Sequence, residues 1–293
     1  MSDQKLGAIH DIGYRHYDGP RLGTAYVRRS LFVDTLRGAF GLGRSPRSKV
    51  MPFLLLAVLS VPAIVMGIVT GYFGLPSLPL GYTDYVFALQ VAVVIFVGSQ
   101  APAAMSRDLR FRVVPLYFSR PISRAQYVQA KYAGLATALF VLMAVPLTLL
   151  FVGAMLAELP LEDQVRDYLR GLIGAAVLAL VLAGVGLVIA ALTPRRGLGV
   201  AAIVGVLLVS AGIQGIVRSL AEEFRNDTLA GYAGLLNPFT LVDGVVSGPF
   251  GADSVMATAP DGPLMGAVFS LVALLVVTGC YGVLLLRFRK AVA

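Results

Sequence analysis

Residues 106–132, SRDLRFRVVPLYFSRPISRAQYVQAKY, form a basic segment between two long apolar runs, residues 85–104 and 134–156. The segment holds six Lys and Arg residues and one acid. Each flanking run is long enough to cross the hydrocarbon core of a bilayer, which takes ~20 helical residues. Because basic loops between spans stay on the cytoplasmic side, the pattern predicts a membrane protein with this segment in the cytoplasm.

The composition of the whole chain agrees with an integral membrane protein. Apolar residues make up 57% and charged residues 14% of its 293 residues. The net charge of +8 would also suit a nucleic-acid-binding protein, but here the basic residues cluster at the ends of apolar runs rather than on a folded surface. We therefore expect no nucleic acid among the partners. The single cysteine, Cys280, lies in an apolar run and excludes a disulfide within the chain.

Six apolar runs reach spanning length and contain no Asp, Glu, Lys or Arg. Their absence is informative, because each such residue costs ~3 kcal/mol at the centre of a membrane helix. The first run follows a long basic segment, so it does not resemble a cleavable signal peptide. The predicted spans are residues 51–72, 85–104, 134–156, 172–192, 198–217 and 264–286.

The basic residues also predict the orientation. If the N-terminus is cytoplasmic, the inner segments hold 20 of the 24 Lys and Arg residues but only 5 of the 16 acids. This asymmetry predicts a multi-pass protein of the cytoplasmic membrane with both termini in the cytoplasm. We divide the chain into a cytoplasmic N-terminal segment, residues 1–50, and one six-span domain, residues 51–293.

The N-terminal segment contains a candidate amphipathic helix between residues 22 and 40. Apolar residues recur there near helical spacing, with arginines on other faces. The pattern favours an interfacial helix along the inner leaflet, and the alternative is a solvated basic tail. The predicted apolar face consists of Tyr26, Phe32, Val33, Leu36 and Phe40.

Residues 221–263 form the longest connection between predicted spans. Its apolar middle approaches spanning length, but Asn237-Pro238 interrupts it and Asp243 follows. A complete seventh span would place the basic C-terminus outside, against the charge rule. We therefore predict a re-entrant hairpin of two short helices that enter the outer leaflet and return before the last span.

Motifs of covalent chemistry are missing from the sequence. It contains no G-x-x-x-x-G-K-[ST] phosphate loop, no H-E-x-x-H and no G-x-S-x-G, so we expect neither ATPase activity nor a metal or cofactor of its own. Three glutamines in the apolar runs, Gln90, Gln100 and Gln214, are candidates for lining a substrate path. Hydrogen bonding between helices is the more common use of such side chains.

The basic segment has a more specific pattern than its charge. Asp108 opens it, Leu116, Tyr117 and Phe118 form an apolar cluster, and Pro121 ends it. Ser123 and Gln126 stand at the two positions of a helix capping box. The sequence Ser119-Arg120-Pro121-Ile122-Ser123-Arg124, followed by Tyr127 and Ala130-Lys131, closely resembles the cytoplasmic loop of ABC-2 type permeases, the membrane subunits of a class of ATP-binding-cassette transporters. That family more commonly opens the segment with glutamate, where this chain has Asp108.

The resemblance implies a dimer of permease subunits that works with two separately encoded cytoplasmic ATPases, which bind ATP and Mg²⁺. It also implies a coupling helix in this loop and favours export. We expect the apolar cluster to dock on the ATPase, with charged residues fixing its register. Those charged residues are Arg107, Asp108, Arg110, Arg112 and Arg120, and Pro121 completes the predicted partner-binding set.

Two other classes stay open. A membrane anchor or sensor that recruits a cytoplasmic partner without transport would use the same basic loop. An intramembrane enzyme would need polar groups that converge at membrane depth, and the sequence does not indicate them.

Overall fold

The computed structural model describes Gly19, 22–106, Asp108, Tyr117, 122–193, 195–251, Ser254 and 263–290, and the regular structure in these residues is helical. The helices are α1 (Thr24–Ala39), α2 (Arg47–Phe73), α3 (Tyr82–Ala88), α4 (Gln90–Ala104), α5 (Arg124–Leu156), α6 (Leu161–Leu192), α7 (Arg196–Glu223), α8 (Asp227–Tyr232), α9 (Pro238–Phe250) and α10 (Pro263–Lys290). A 3-10 turn, Ala233–Leu236, joins α8 to the start of α9.

Five of the described helices, α2, α5, α6, α7 and α10, are long and apolar enough to cross a membrane. They contain five of the six predicted spans. Most of them extend beyond the predicted runs, because charged and polar residues at the ends of the apolar runs continue the helices. For example, α6 begins at Leu161, eleven residues before the predicted span.

The predicted span 85–104 is not one continuous helix. It consists of α3 and α4, which are bent by 62° at Leu89. Two buried tyrosines hold α3 in its own direction: the Tyr82 hydroxyl donates to Oε1 of Gln164 at 2.8 Å, and the Tyr85 hydroxyl donates to the carbonyl oxygen of Leu59. Because these bonds fix α3 against α6 and α2, tertiary contacts produce the bend.

The bundle has two distinguishable ends. We call the end where α2 and α5 begin and α6 and α10 finish the basic end, because Arg47, Arg124 and Arg195 lie there. The opposite end, where α6 begins with Glu162 and Asp163 in its first turn, is the acidic end.

Glycines allow the central helices to approach closely. A Cβ atom at Gly67 of α2 would lie 2.7 Å from the Cα of Gly153 of α5. A Cβ at Gly184 of α6 would lie 2.5 Å from the hydroxyl oxygen of Tyr132, whose hydroxyl donates to the carbonyl of Leu180 at 2.8 Å. Side chains larger than hydrogen would separate these helices, so small residues set the spacing of the core.

The helix α1 is present, and its buried face agrees with the prediction in part: Phe40 is buried just after the helix, and Phe32 and Leu36 pack against the core. Leu31, Thr35 and Ala39 are buried, with Thr35 against Gly134 of α5. Tyr26, a member of the predicted apolar face, is 56% exposed. Close packing against α5 requires small residues at positions 35 and 39. A pattern based on hydrophobicity alone does not identify such positions.

The connection between α7 and α10 is broken at the predicted position. The Asn237 side chain accepts a hydrogen bond from the backbone N–H of Phe239 at 3.2 Å, and Pro238 occupies the first position of α9. Helix α9 then runs antiparallel to α10, because Gly244 lies against Phe269 and Gly248 against Gly266. The chain therefore reverses at Asn237, and α9 returns toward the acidic end.

Candidate functional site

The basic loop ends in a capping box that starts α5. The backbone N–H of Gln126 donates to Oγ of Ser123 at 3.2 Å, and the backbone N–H of Ser123 donates to Oε1 of Gln126 at 3.0 Å. Reciprocal bonds of this kind satisfy two of the free donors of a helix N-terminus. The predicted capping box is confirmed, and it fixes the point at which the loop enters α5.

Asp108, the acid that opens the loop, binds two side chains of α5. Its Oδ2 lies 2.9 Å from Nζ of Lys131 and accepts a hydrogen bond from the Tyr127 hydroxyl at 2.6 Å. Tyr127 and Lys131 are four residues apart and so share one face of the helix. The Lys131 and Asp108 side chains are only 5% and 14% exposed. The carboxylate thus holds the start of the loop on the first turns of α5.

Aromatic contacts extend this cluster to the last helix. The Tyr117 and Tyr127 ring centroids are 5.4 Å apart, and those of Tyr127 and Phe288 are 5.3 Å apart. Phe288, near the end of α10, is fully buried. Tyr127 therefore contacts the loop and α10 at once. We call the set Asp108, Tyr117, Tyr127, Lys131 and Phe288 the junction.

Two bonds to the end of α6 complete the surroundings of the junction. Oγ of Ser106 donates to the carbonyl oxygen of Ala190 at 2.9 Å. Nε of Arg287 donates to the carbonyl oxygen of Ala191 at 3.4 Å. The final carbonyls of a helix lack partners within it, so these two side chains stabilise the end of α6. Ser106, at the start of the basic segment, and the last turn of α10 are thereby bound to one helix end.

Of the nine residues predicted for partner binding, the structure describes Asp108 and Tyr117. Both contact α5, and Tyr117 is half-buried. These contacts lie within the chain and do not test partner binding. Partner binding by these two residues therefore stays a prediction. The other seven, Arg107, Arg110, Arg112, Leu116, Phe118, Arg120 and Pro121, lie outside the described residues.

The three glutamines occupy different surroundings. Gln100 is buried, and its Nε2 donates to Oγ of Ser99 at 3.2 Å. Gln214 is buried on α7, whereas Gln90 is half-buried at the bend between α3 and α4. The hydrogen bond of Gln100 stays within α4, so it does not indicate a substrate path. Their role in a pathway stays a prediction.

Sequence reasoning missed the pairing inside the junction. The sequence pattern places Lys131 in the segment that leads into the span and indicates no role for Phe288. A signal was present, because a lysine one turn after a tyrosine at the edge of an apolar helix needs a nearby acid. Asp108 is the only acid between residues 85 and 157.

Among the residues that the structure describes, no group of three or more His, Cys, Asp or Glu side chains could hold a metal ion. The junction contains one acid, one base and aromatic rings. It can hold helices in register and respond to a shift of the loop, but it offers no metal-ligand set.

The sequence model described as ABC-2 family transporter protein matches residues 103–291. The match covers more than half of the chain, from the last turn of α4 through the basic loop to the end of α10. No curated protein matches the sequence closely enough to count as a relative. With its apolar helices of spanning length and the junction at the start of α5, the chain belongs to the ABC-2 family of transporter proteins, as a membrane component that is not itself an ATPase.

Proposed function

We propose that this chain is the permease subunit of an ABC exporter, coupled to a separate cytoplasmic ATPase through the loop between α4 and α5. The observation that carries the proposal is the junction, because it links this loop to α5 and α10 through a buried ion pair and packed rings. A displacement of the loop would therefore act directly on two helices of spanning length.

The topology in this proposal has six spans, with α3 and α4 together forming one broken span. The basic end is cytoplasmic and the acidic end is outside, as the distribution of Lys and Arg favours. Helices α8 and α9 form a re-entrant hairpin in the outer leaflet. In its favour, α9 starts from the Asn237 cap and returns antiparallel to α10.

Two such subunits and two ATPases would make the transporter. ATP and Mg²⁺ bind to the ATPases, and their association on ATP binding moves the coupling segment. The permease does no chemistry; it needs two packing arrangements whose relative stability depends on the state of the ATPases. A buried pair suits this task, because breaking it is costly and the loop and α5 must therefore move together.

The test is isolation of the chain from its native membrane in mild detergent, followed by identification of bound soluble proteins. We expect an ATPase without membrane spans, whose hydrolysis rate changes when the chain and bilayer are restored. Copurification of a partner whose ATP hydrolysis never responds to any membrane-borne ligand would favour the anchor or sensor. ATP turnover by the isolated chain would overturn the division of roles.

A further inference from the structure

A small cavity near the acidic end contains a buried carboxylate. It lies between α3, α6 and α9, has a volume of about 40 Å³ and includes Asp243 in its lining. Asp243 is 6% exposed. Most of the remaining lining is hydrocarbon, from residues such as Phe87, Leu178, Phe239 and Val246. An ionisable side chain in such surroundings indicates a functional site, because its burial is costly.

Small residues of α6 create the space beside Asp243. Gly171, Gly174 and Ala175 line the cavity. A Cβ at Gly174 would lie 3.1 Å from Cγ2 of Val246, so even alanine would crowd α9 there. Oγ of Ser254 donates to Oδ2 of Asp243 at 2.6 Å. The carboxylate is thus fixed in place at the edge of the cavity.

A second, polar pocket adjoins the first. It has a volume of about 240 Å³, and Thr83 lines both. Its charged lining residues are Asp84, Asp167 and Arg170, and Arg170 pairs with Asp167 at 2.9 Å. Nε of Arg166 lies 3.6 Å from the same Asp167 oxygen, so with Asp243 the two pockets and this neighbour hold three carboxylates and two guanidinium groups. This excess of negative charge raises the local concentration of cations and lowers that of anions.

We propose that these two pockets bind an alkylammonium ion, with the ammonium group at Asp243 and the alkyl chain against the apolar lining. The proposal rests on the transport function above and names the substrate class of this site. An inorganic cation fits less well, because Mg²⁺ and Ca²⁺ require six or more oxygen ligands and the cavity wall is mostly hydrocarbon. About 40 Å³ is room for only a few atoms, since one water needs about 10–15 Å³ by the same measure. The rest of the alkyl chain then extends out of this cavity along its open side, and the polar pocket contributes its negative charge.

The chain contains no tryptophan, so a Phe87→Trp reporter gives a single emission signal from the cavity wall. The full-length protein is placed in zwitterionic lipid nanodiscs and titrated with hexylammonium, hexanol and hexanoate. We expect saturable binding of hexylammonium at least tenfold tighter than that of hexanol, and none of hexanoate. Equal binding of hexylammonium and hexanol would overturn the proposal.

Asp243→Asn removes the charge but keeps an oxygen to accept the Ser254 bond. In the reporter background it should weaken hexylammonium binding at least tenfold and leave hexanol unchanged. Asp227→Asn, which neutralises an exposed acid at the start of α8, is the matched control and should change neither. Unchanged hexylammonium binding in Asp243→Asn would contradict the proposal.

A second variant keeps the test decisive if Asp243→Asn folds poorly. Ala175→Val adds two methyl groups to the cavity wall and leaves every charge in place, so it should weaken both hexylammonium and hexanol. Normal binding of both ligands by this variant would also contradict the assignment of the binding site to this cavity.

These titrations need no ATPase. A chain that assembles with its ATPase but binds no ammonium would overturn this inference alone, and one that binds ammonium but assembles with no ATPase would overturn only the proposed function.

Discussion

Nζ of Lys131 lies 2.9 Å from Oδ2 of Asp108, and both side chains are largely buried. The two residues are separated by the whole basic loop, so this ion pair closes the loop onto the helix that follows it. The Tyr127 hydroxyl binds the same carboxylate oxygen and strengthens the connection. The residue that opens the loop is therefore held by α5 within this chain, whatever else the loop contacts.

Lys131→Met should destabilise the protein, because it leaves the buried Asp108 carboxylate without its cation. Removing one partner of a buried pair costs ~3–5 kcal/mol. The double variant Asp108→Asn with Lys131→Met should lose less than the sum of the two single variants. Thermal unfolding in detergent, followed by circular dichroism, measures all three.

The exposed pair Arg166 and Asp163 is the control. Their side chains are 54% and 56% exposed at 2.8 Å, and exposed pairs contribute ~0–1 kcal/mol. Arg166→Met should therefore have little effect. Additive losses in the Asp108 and Lys131 variants would show that the two side chains do not act as a pair.

Gly67→Ala tests the close approach of α2 and α5. The new Cβ would lie 2.7 Å from the Cα of Gly153, so the helices must separate, and overpacking of this kind costs ~1–3 kcal/mol. Gly205→Ala on α7 is the matched control, because no atom lies within 4 Å of its Cβ position. It should be neutral or slightly stabilising, since alanine is the better helix former. Equal unfolding temperatures for the two variants would refute a tight α2–α5 contact.

Much of the helical arrangement could be predicted from the sequence, because local signals determine it. Uncharged apolar runs predicted five of the spanning helices, Ser123 and Gln126 predicted the start of α5, and Asn237-Pro238 predicted the break before α9. Each signal acts within a few residues, so it survives without knowledge of the tertiary fold.

The bend at Leu89 and the partners of Asp108 could not be predicted in the same way. No proline or glycine marks the bend, which depends on bonds from Tyr82 and Tyr85 to α6 and α2. Asp108 pairs with a lysine 23 residues away. Such contacts depend on how helices are placed in space, and the sequence pattern of one helix does not record that placement.

The proposed topology predicts the exposure of two loop positions. In a Cys280→Ser background, a cysteine at position 112 should be protected from an impermeant thiol reagent in intact cells, whereas one at position 261 should react. The reason is the strong excess of Lys and Arg on one side. As a control for the reactivity of position 112, permeabilising the cells should allow the reagent to label it. The opposite labelling pattern would invert the whole orientation and place the coupling loop outside.

The coupling proposal predicts that the apolar cluster of the loop binds the ATPase. Changing Tyr117 and Phe118 together to alanine removes two aromatic anchors, and centrally buried anchors often contribute about 2 kcal/mol or more each. Since ~1.4 kcal/mol is tenfold in affinity, we expect the complex to weaken by tenfold or more, with a parallel loss of substrate-stimulated ATP hydrolysis. Membrane insertion should be unchanged, because every Lys and Arg is retained.

The controls for this prediction separate docking from packing and from charge. Tyr117 also packs on Tyr127, with ring centroids 5.4 Å apart, so Tyr117→Phe should keep this contact and keep assembly near the parental level. Arg112→Gln should weaken the complex mildly and in a salt-dependent way, as a charge at the rim of an interface does. Pull-down of the ATPase and its hydrolysis rate are compared at matched membrane expression. Full assembly and activity in the double alanine variant would mean that this loop is not the coupling element, even though the chain belongs to the ABC-2 family.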